Sequence, residues 1–209
     1  MRTILTTAAL LLALTACGSD DGDSTATDAG PTDAAATTDR PTAVPPAPGS
    51  VHTRVLATVM DTGTPELCLG PVAESYPPQC GGPELVGWSW QDQNGVFERQ
   101  GDTRWGQFHV TGTWDGERLT VSGAIPAALY DAMPVEGPTH PEPAESLGQA
   151  DLERIQAEVQ DLPGAQGAYV DGPRVIVDAV YDDGSLQTWA DQTYGEAVVV
   201  VVPALVDDE

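Results

Sequence analysis

The chain has 209 residues and a formal net charge of −24, with 32 aspartates and glutamates against eight arginines and no lysine. So acidic a balance lacks the basic footprint that nucleic-acid phosphates and anionic lipid surfaces attract, which argues against nucleic acid as a partner. The missing lysine also removes Schiff-base and lysine-base chemistry.

Met1 and Arg2 form a short cationic start, residues 4–14 an uncharged apolar run, and Leu14-Thr15-Ala16-Cys17 a small-residue cleavage site. Residues 1–16 therefore read as an export signal. The apolar run is too short for a bilayer core of about 30 Å. The tetrapeptide resembles the lipobox of bacterial lipoproteins, which implies cleavage after Ala16 and a diacylglyceryl thioether on Cys17. A plain secretory signal with an incidental cysteine is the alternative. One acyl chain holds a protein to a membrane only marginally, whereas two or three make release slow.

Residues 18–50 contain Ser, Thr, Asp, Ala, Gly and Pro with no aromatic side chain and only Val44 from the branched aliphatics. Such a segment cannot offset its conformational entropy by burial, so residues 17–50 are expected to be a lipidated cysteine followed by a disordered tether. Asp20, Asp21 and Asp23 lack the ligand spacing of a calcium-binding EF-hand loop. One asparagine and two phenylalanines beside abundant Ala, Gly and Pro suggest a GC-rich coding sequence. That composition favours an actinobacterial source over an acidic halophile.

Over residues 51–133 the pattern changes to period two. Runs at 54–60, 84–91, 106–114 and 117–122 read as strands, the last two joined by an Asp115-Gly116 hairpin turn. Phe108, Val110, Gly112 and Trp114 share one face, which Leu119 and Val121 meet across the hairpin. Val86, Trp88 and Trp90 form a second apolar stripe. The expectation is a small antiparallel sheet or barrel, an OB-like barrel being one form of it. With Cys17 lipidated, Cys68 and Cys80 are an even pair in an exported protein, so a disulfide is expected. Their spacing is not Cys-x-x-Cys, and no nearby histidine completes a zinc set.

Residues 134–145 read as a proline-rich hinge, and residues 146–209 as a small α-β-β-α-β domain, making the whole chain α+β. Ser146 and Gln149 offer a capping box for a helix with Leu152, Ile155 and Val159 on one face, stopped by Pro163-Gly164. Strands at 166–170 and 174–181 pair across Asp171-Gly172-Pro173. A helix over 185–194 turns Leu186, Trp189, Ala190 and Thr193 inward and stops at Gly195. The valine-rich run 197–202 suits a strand buried on both faces.

Little in the chain suggests catalysis, a cofactor or a metal. His52, His109 and His140 share no helical ligand spacing, and nucleophile elbows and phosphate-binding glycine loops are absent from the sequence. Asp182-Asp183 is an adjacent acid pair, read as a helix cap rather than a catalytic dyad. Alternation puts Trp105 beside Gln107 and His109 on the face opposite Phe108. There Trp105 and His109 could contact a ligand or partner, unless a bulge at Gly106 turns the indole into the core.

The run from Glu66 to Cys80 (ELCLGPVAESYPPQC), Gly87-Trp88, Val110 to Gly116 (VTGTWDG) and Gln187 to Gly195 (QTWADQTYG) resemble a group of actinobacterial envelope lipoproteins and secreted proteins. The resemblance covers most of the chain beyond residue 50 and implies an extracytoplasmic location, with no activity to carry over. The sequence reading is thus a binding or interaction module tied to the outer face of the cytoplasmic membrane by its lipid, meeting an envelope protein or glycan. An envelope enzyme or enzyme inhibitor with an unrecognised carboxylate site is the alternative; a cavity gathering several perturbed acids would mark it.

Overall fold

A computed structural model describes residues 39–131 and 139–208, which are α+β. In chain order the strands are β1 (Ser50–Thr53), β2 (Ala57–Asp61), β3 (Pro65–Cys68), β4 (Leu85–Val86), β5 (Glu98–Gln100), β6 (Thr103–Trp114), β7 (Leu119–Pro126), β8 (Ala165–Asp171), β9 (Arg174–Ala179), β10 (Val199–Pro203) and β11 (Leu205–Asp207). The helices are α1 (Gln149–Val159) and α2 (Ser185–Tyr194). Cys17 and the first part of the tether lie outside the described residues.

The hairpin announced by Asp115-Gly116 organises the first sheet. The Asp115 carboxylate accepts the backbone N–H groups of Arg118 (2.7 Å) and Glu117 (2.9 Å), and Gly116 takes φ 102°. Those bonds hold the carboxyl below its ordinary pKa. The pairing resumes at Trp114↔Leu119, two residues later than the turn dipeptide implies. A bulge at Thr111/Gly112 lets β7 approach closely, and there only glycine fits, because a Cβ on Gly112 would stand 2.4 Å from the Thr120 carbonyl oxygen.

β6 carries partners on both edges: β2 and β1 in succession along one, β5 and β7 along the other. The pairing is antiparallel save for the short parallel contact of β4 with β7. The sheet curls but stays open. β3 and β4 meet only at an isolated Glu66↔Glu84 bridge and a Leu67 N–H to Pro83 carbonyl bond, so the expected barrel form does not close. Inside the curl lie Val51, Val59, Leu67, Phe108, Val110 and Leu119.

The run at 84–91 yields only the two residues of β4, because Gly87 at φ 81° breaks the strand. Trp88 and Trp90 reach the core from the following turn. The Trp88 ring lies 4.9 Å from that of Phe108, and the Trp90 indole N–H donates to Asp61 (2.8 Å). The run at 54–60 is likewise divided, β1 ending at Thr53 and β2 starting at Ala57.

The expected tether gives way to ordered chain by Arg40. Its guanidinium lies 5.6 Å from the centre of the Trp189 ring, Val44 and Ala47 pack on the first core, and Pro45 and Ala47 bond to Trp114. The tether boundary at residue 50 is therefore about ten residues too late, since Val44 and Ala47, small as they are, find an apolar surface to cover.

The second sheet has the order β10-β9-β8, with β9 and β10 parallel and β8 and β9 antiparallel. Leu152, Ile155 and Val159 of α1 and Leu186, Trp189 and Ala190 of α2 cover one face, against Val175, Val177 and Val199. Val199 and Val200 are buried on opposite faces, as the valine run implied, while Val201 and Val202 are half-buried. α1 does not use Ser146: extended Gly148 is its N-cap, and the Gly148 carbonyl accepts from Asp151 and Leu152. At α2, Asp182 accepts the Leu186 and Gln187 N–H groups and Asp183 that of Ser185, so the acid pair is a helix cap.

The chain then leaves β10 and recrosses the expected hinge. β11 pairs antiparallel with β1 (Thr53↔Leu205, Val51↔Asp207), and Val180, Tyr181 and Leu205 are buried in the first core. The described residues from 39 to 208 fall in one compact unit, and β11 joins the first sheet rather than a separate second domain. Leu205 is the reason: fully buried, it has its apolar contacts in the first core rather than among the helices.

Candidate functional site

One face of β6 looks into the core; the other carries Trp105, Gln107 and His109. Trp105 pairs with Met60 in continuous register, so no bulge at Gly106 turns it inward, yet it is only 7% exposed. What buries it is the segment closed by the Cys68–Cys80 disulfide, whose Cα atoms lie 5.8 Å apart. That lobe folds over the outer face. The Tyr76 ring meets Trp105 edge-on at 5.3 Å, and Cys80 Sγ lies 3.8 Å from Met60 Sδ. Within the lobe the Ala73 N–H donates to the Gln79 carbonyl and the Ser75 hydroxyl to that of Pro77.

Between the lobe and the loop leading into β5 lies a groove of about 670 Å³, floored by Trp105, Thr58 and Gln107. Val72 and Tyr76 wall one side, Phe97 and Glu98 the other, and the short 3-10 turn Ala127–Leu129 contributes its end. A smaller cavity of about 220 Å³ adjoins it, sharing Thr58, Val72 and Gln107 and continuing to Val55 and Ala204. The volume of the larger one lies in the range of organic and peptide side-chain sites. Among the described residues six large apolar side chains are exposed; of these Val72 and Tyr76 line this groove, Val55 lines the adjoining cavity, and Leu129 follows Ala128 of the groove wall in the chain. Glu98 is the single charged residue in the lining of either cavity, on a chain whose net charge is −24.

Farther along the same face, about 13 Å from Trp105 at the usual rise per residue, His109 enters a second cluster. Its ring stacks on Tyr130 (4.7 Å, 14°) and lies 5.2 Å from His52. His52 Nδ1 is 2.6 Å from Asp208 Oδ1, and the Asp208 backbone N–H donates to the Ser50 carbonyl. Burial, then the neighbouring His52, lowers the pKa of His109, with Asp208 opposing. Bonds from the Ser50 hydroxyl and from His52 lower that of Asp208. His109 Nδ1 is shut off from water with no hydrogen-bond partner.

The structure thus places Trp105 and His109 on one sheet face but in different surroundings, Trp105 under the groove and His109 beyond it. Sequence reading passed over Tyr76 and Val72, although two large apolar residues inside a Gly- and Pro-rich disulfide loop with no strand pattern were a signal. Asp208 was beyond reach, being 156 residues from His52. His140 is half-buried in the segment preceding α1, outside both cavities. Among the described residues, no three His, Cys, Asp or Glu side chains are placed to share a metal ion. Compared with protein-family models, with curated proteins and with solved structures, the chain matches none.

Proposed function

We propose that this chain is an exported lipoprotein, held at the extracytoplasmic face of the cytoplasmic membrane through lipid on Cys17, that binds an extended apolar segment of an envelope protein in the groove over Trp105. The gathering of three exposed apolar side chains, Val55, Val72 and Tyr76, along two adjoining, nearly uncharged cavities carries this reading. With Trp105 covered and Val55 and Val72 beside Tyr76, the groove suits protein side chains better than sugar rings, which stack on an open tryptophan face. The two adjoining cavities give the groove the length an extended segment needs.

An envelope enzyme or enzyme inhibitor has less to rest on. The cavity holds one carboxylate, and Asp178, whose carboxyl burial raises above its ordinary pKa, lies in β9 and lines neither cavity.

A photocrosslinking residue at position 76 or 129 in living cells should give a discrete protein adduct, whereas position 169, equally a site of exposed tyrosine, should give none. A peptide matching the crosslinked segment should bind the purified chain and lose about 30-fold in affinity with Tyr76→Ala, the cost of truncating an aromatic hot spot. Equal adducts from position 169, a glycan in place of protein, or a peptide indifferent to Tyr76→Ala would overturn the reading.

Among the described residues no helix is long and apolar enough to cross a membrane; anchoring through Cys17 rests on the lipobox resemblance. Cys17→Ser is expected to move the exported protein from the membrane pellet to the soluble fraction. A variant exported normally yet still pelleting after a high-salt wash would refute the lipobox assignment.

A further inference from the structure

His109 is an awkward residue for its position. Stacked on Tyr130 with Nδ1 closed off from water and unpaired, its ring is accommodated in the neutral form. A second proton donor, His52, is only 5.2 Å away ring to ring, and it is already engaged with Asp208 at 2.6 Å. On its own sheet face His109 meets no acid: opposite it in β7 is Ile125, and Gln107 and Thr111 flank it, so the one carboxylate that favours its charge is Asp208, which is already bonded to His52. Among the described residues, His52 of β1, Asp208 after β11 and the Tyr130 phenol are the titratable groups that face it.

Tyr130 is more than a lid. Its backbone N–H bonds to the Ala127 carbonyl, closing the 3-10 turn, and Ala127 and Ala128 are part of the groove wall. The ring on His109 and the wall of the groove are therefore one short piece of chain. Leu129, between Ala128 of the wall and Tyr130, is exposed.

We propose that His109 is a proton-operated latch on this groove: neutral, it holds Tyr130 and with it the 127–129 turn as the end wall; protonated, it releases them. Its consequence for ligand binding rests on the groove reading above, but the latch itself does not. The sign follows from linkage. In the latched state burial and then His52 hold the pKa of His109 below the ordinary histidine value of about 6.5, and in the released state it returns towards that value. Release therefore takes up a proton in the window below pH 6.5, and acid favours the open form. Above that window both states are neutral and the latch is indifferent to pH.

The test is hydrogen exchange of the full-length chain in detergent, followed in peptides covering residues 125–131 from about pH 7.5 to 5 and corrected for the intrinsic pH dependence of exchange. The opening constant should rise by up to about tenfold per pH unit below 6.5, the slope of a single linked proton, and His109→Gln should flatten that slope. A flat wild-type profile, or an unchanged slope in the variant, would overturn the proposal. Imidazole NMR on the wild type decides the matter without a variant, since His109 must titrate below 6.5; titration at or above that value sinks the latch. A working latch with no adduct from position 76 would remove the groove partner alone, and an adduct with a flat profile would remove the latch alone.

Discussion

Replacing Cys68 and Cys80 together with alanine should lower the free energy of unfolding by about 2–4 kcal/mol, the usual worth of a native disulfide. In a unit of this size that is a fall in melting temperature of about 4–16 °C. The bridge also pins the lobe that covers Met60 and Trp105. The double variant should therefore lose the groove before it loses the fold, with Trp105 becoming accessible to quenchers in the native state. Because Val180, Tyr181 and Leu205 join the first core, unfolding should remain one transition rather than leaving residues 146–209 folded. Free thiols in the native protein, or a variant with unchanged stability, would show that the bridge is no staple.

A chain stopped after Pro203 is expected to suffer more. It lacks Leu205, which is fully buried, and truncating a buried leucine even to alanine costs about 2–5 kcal/mol. It also lacks the β11 ladder on β1, the His52–Asp208 bond and the bond from the Tyr181 hydroxyl to Asp207. That hydroxyl, its pKa pushed up to about 12 by burial first and then by the Asp207 bond, would be left inside without an acceptor. Calorimetry should find no cooperative transition at the wild-type temperature. Persistence of that transition would mean that β11 is decoration on a sheet complete without it.

Legibility in the sequence followed the range of the interactions. α2, with Gly195 at its stop, and the β6–β7 hairpin were readable because a cap, a turn dipeptide and an apolar period are local. The disulfide was readable from the parity of the cysteines and the export that residues 1–17 lead one to expect. Trp105 was half-readable: its strand face was evident, but its cover is a lobe about 30 residues earlier in the chain, with no period to announce it. β1, β3, β5 and β11, each of three or four residues, are too short for alternation to register, and what makes them strands is a neighbour far along the chain. β11 is the extreme case. Nothing in Leu205-Val206-Asp207 distinguishes a strand of the second sheet from one of the first, and the hinge expected at 134–145 rested on its prolines. The His52–His109–Asp208 cluster shares that cause, since it assembles only after β11 has found β1.

The pairing of β1 with β11 also sets a clock on folding. Synthesis delivers the chain from the N-terminus, so β1 emerges and can find β6 some 60 residues later, yet its second edge stays bare until about 150 residues have followed. Contacts of such sequence separation close slowly. Throughout that interval a short strand with open backbone donors and acceptors is offered to any other strand that passes. The nascent molecule is therefore most exposed to mispairing at the very place where the finished one is sewn shut, and conditions that slow delivery of its last few residues should lower the yield of folded protein out of proportion to the length withheld.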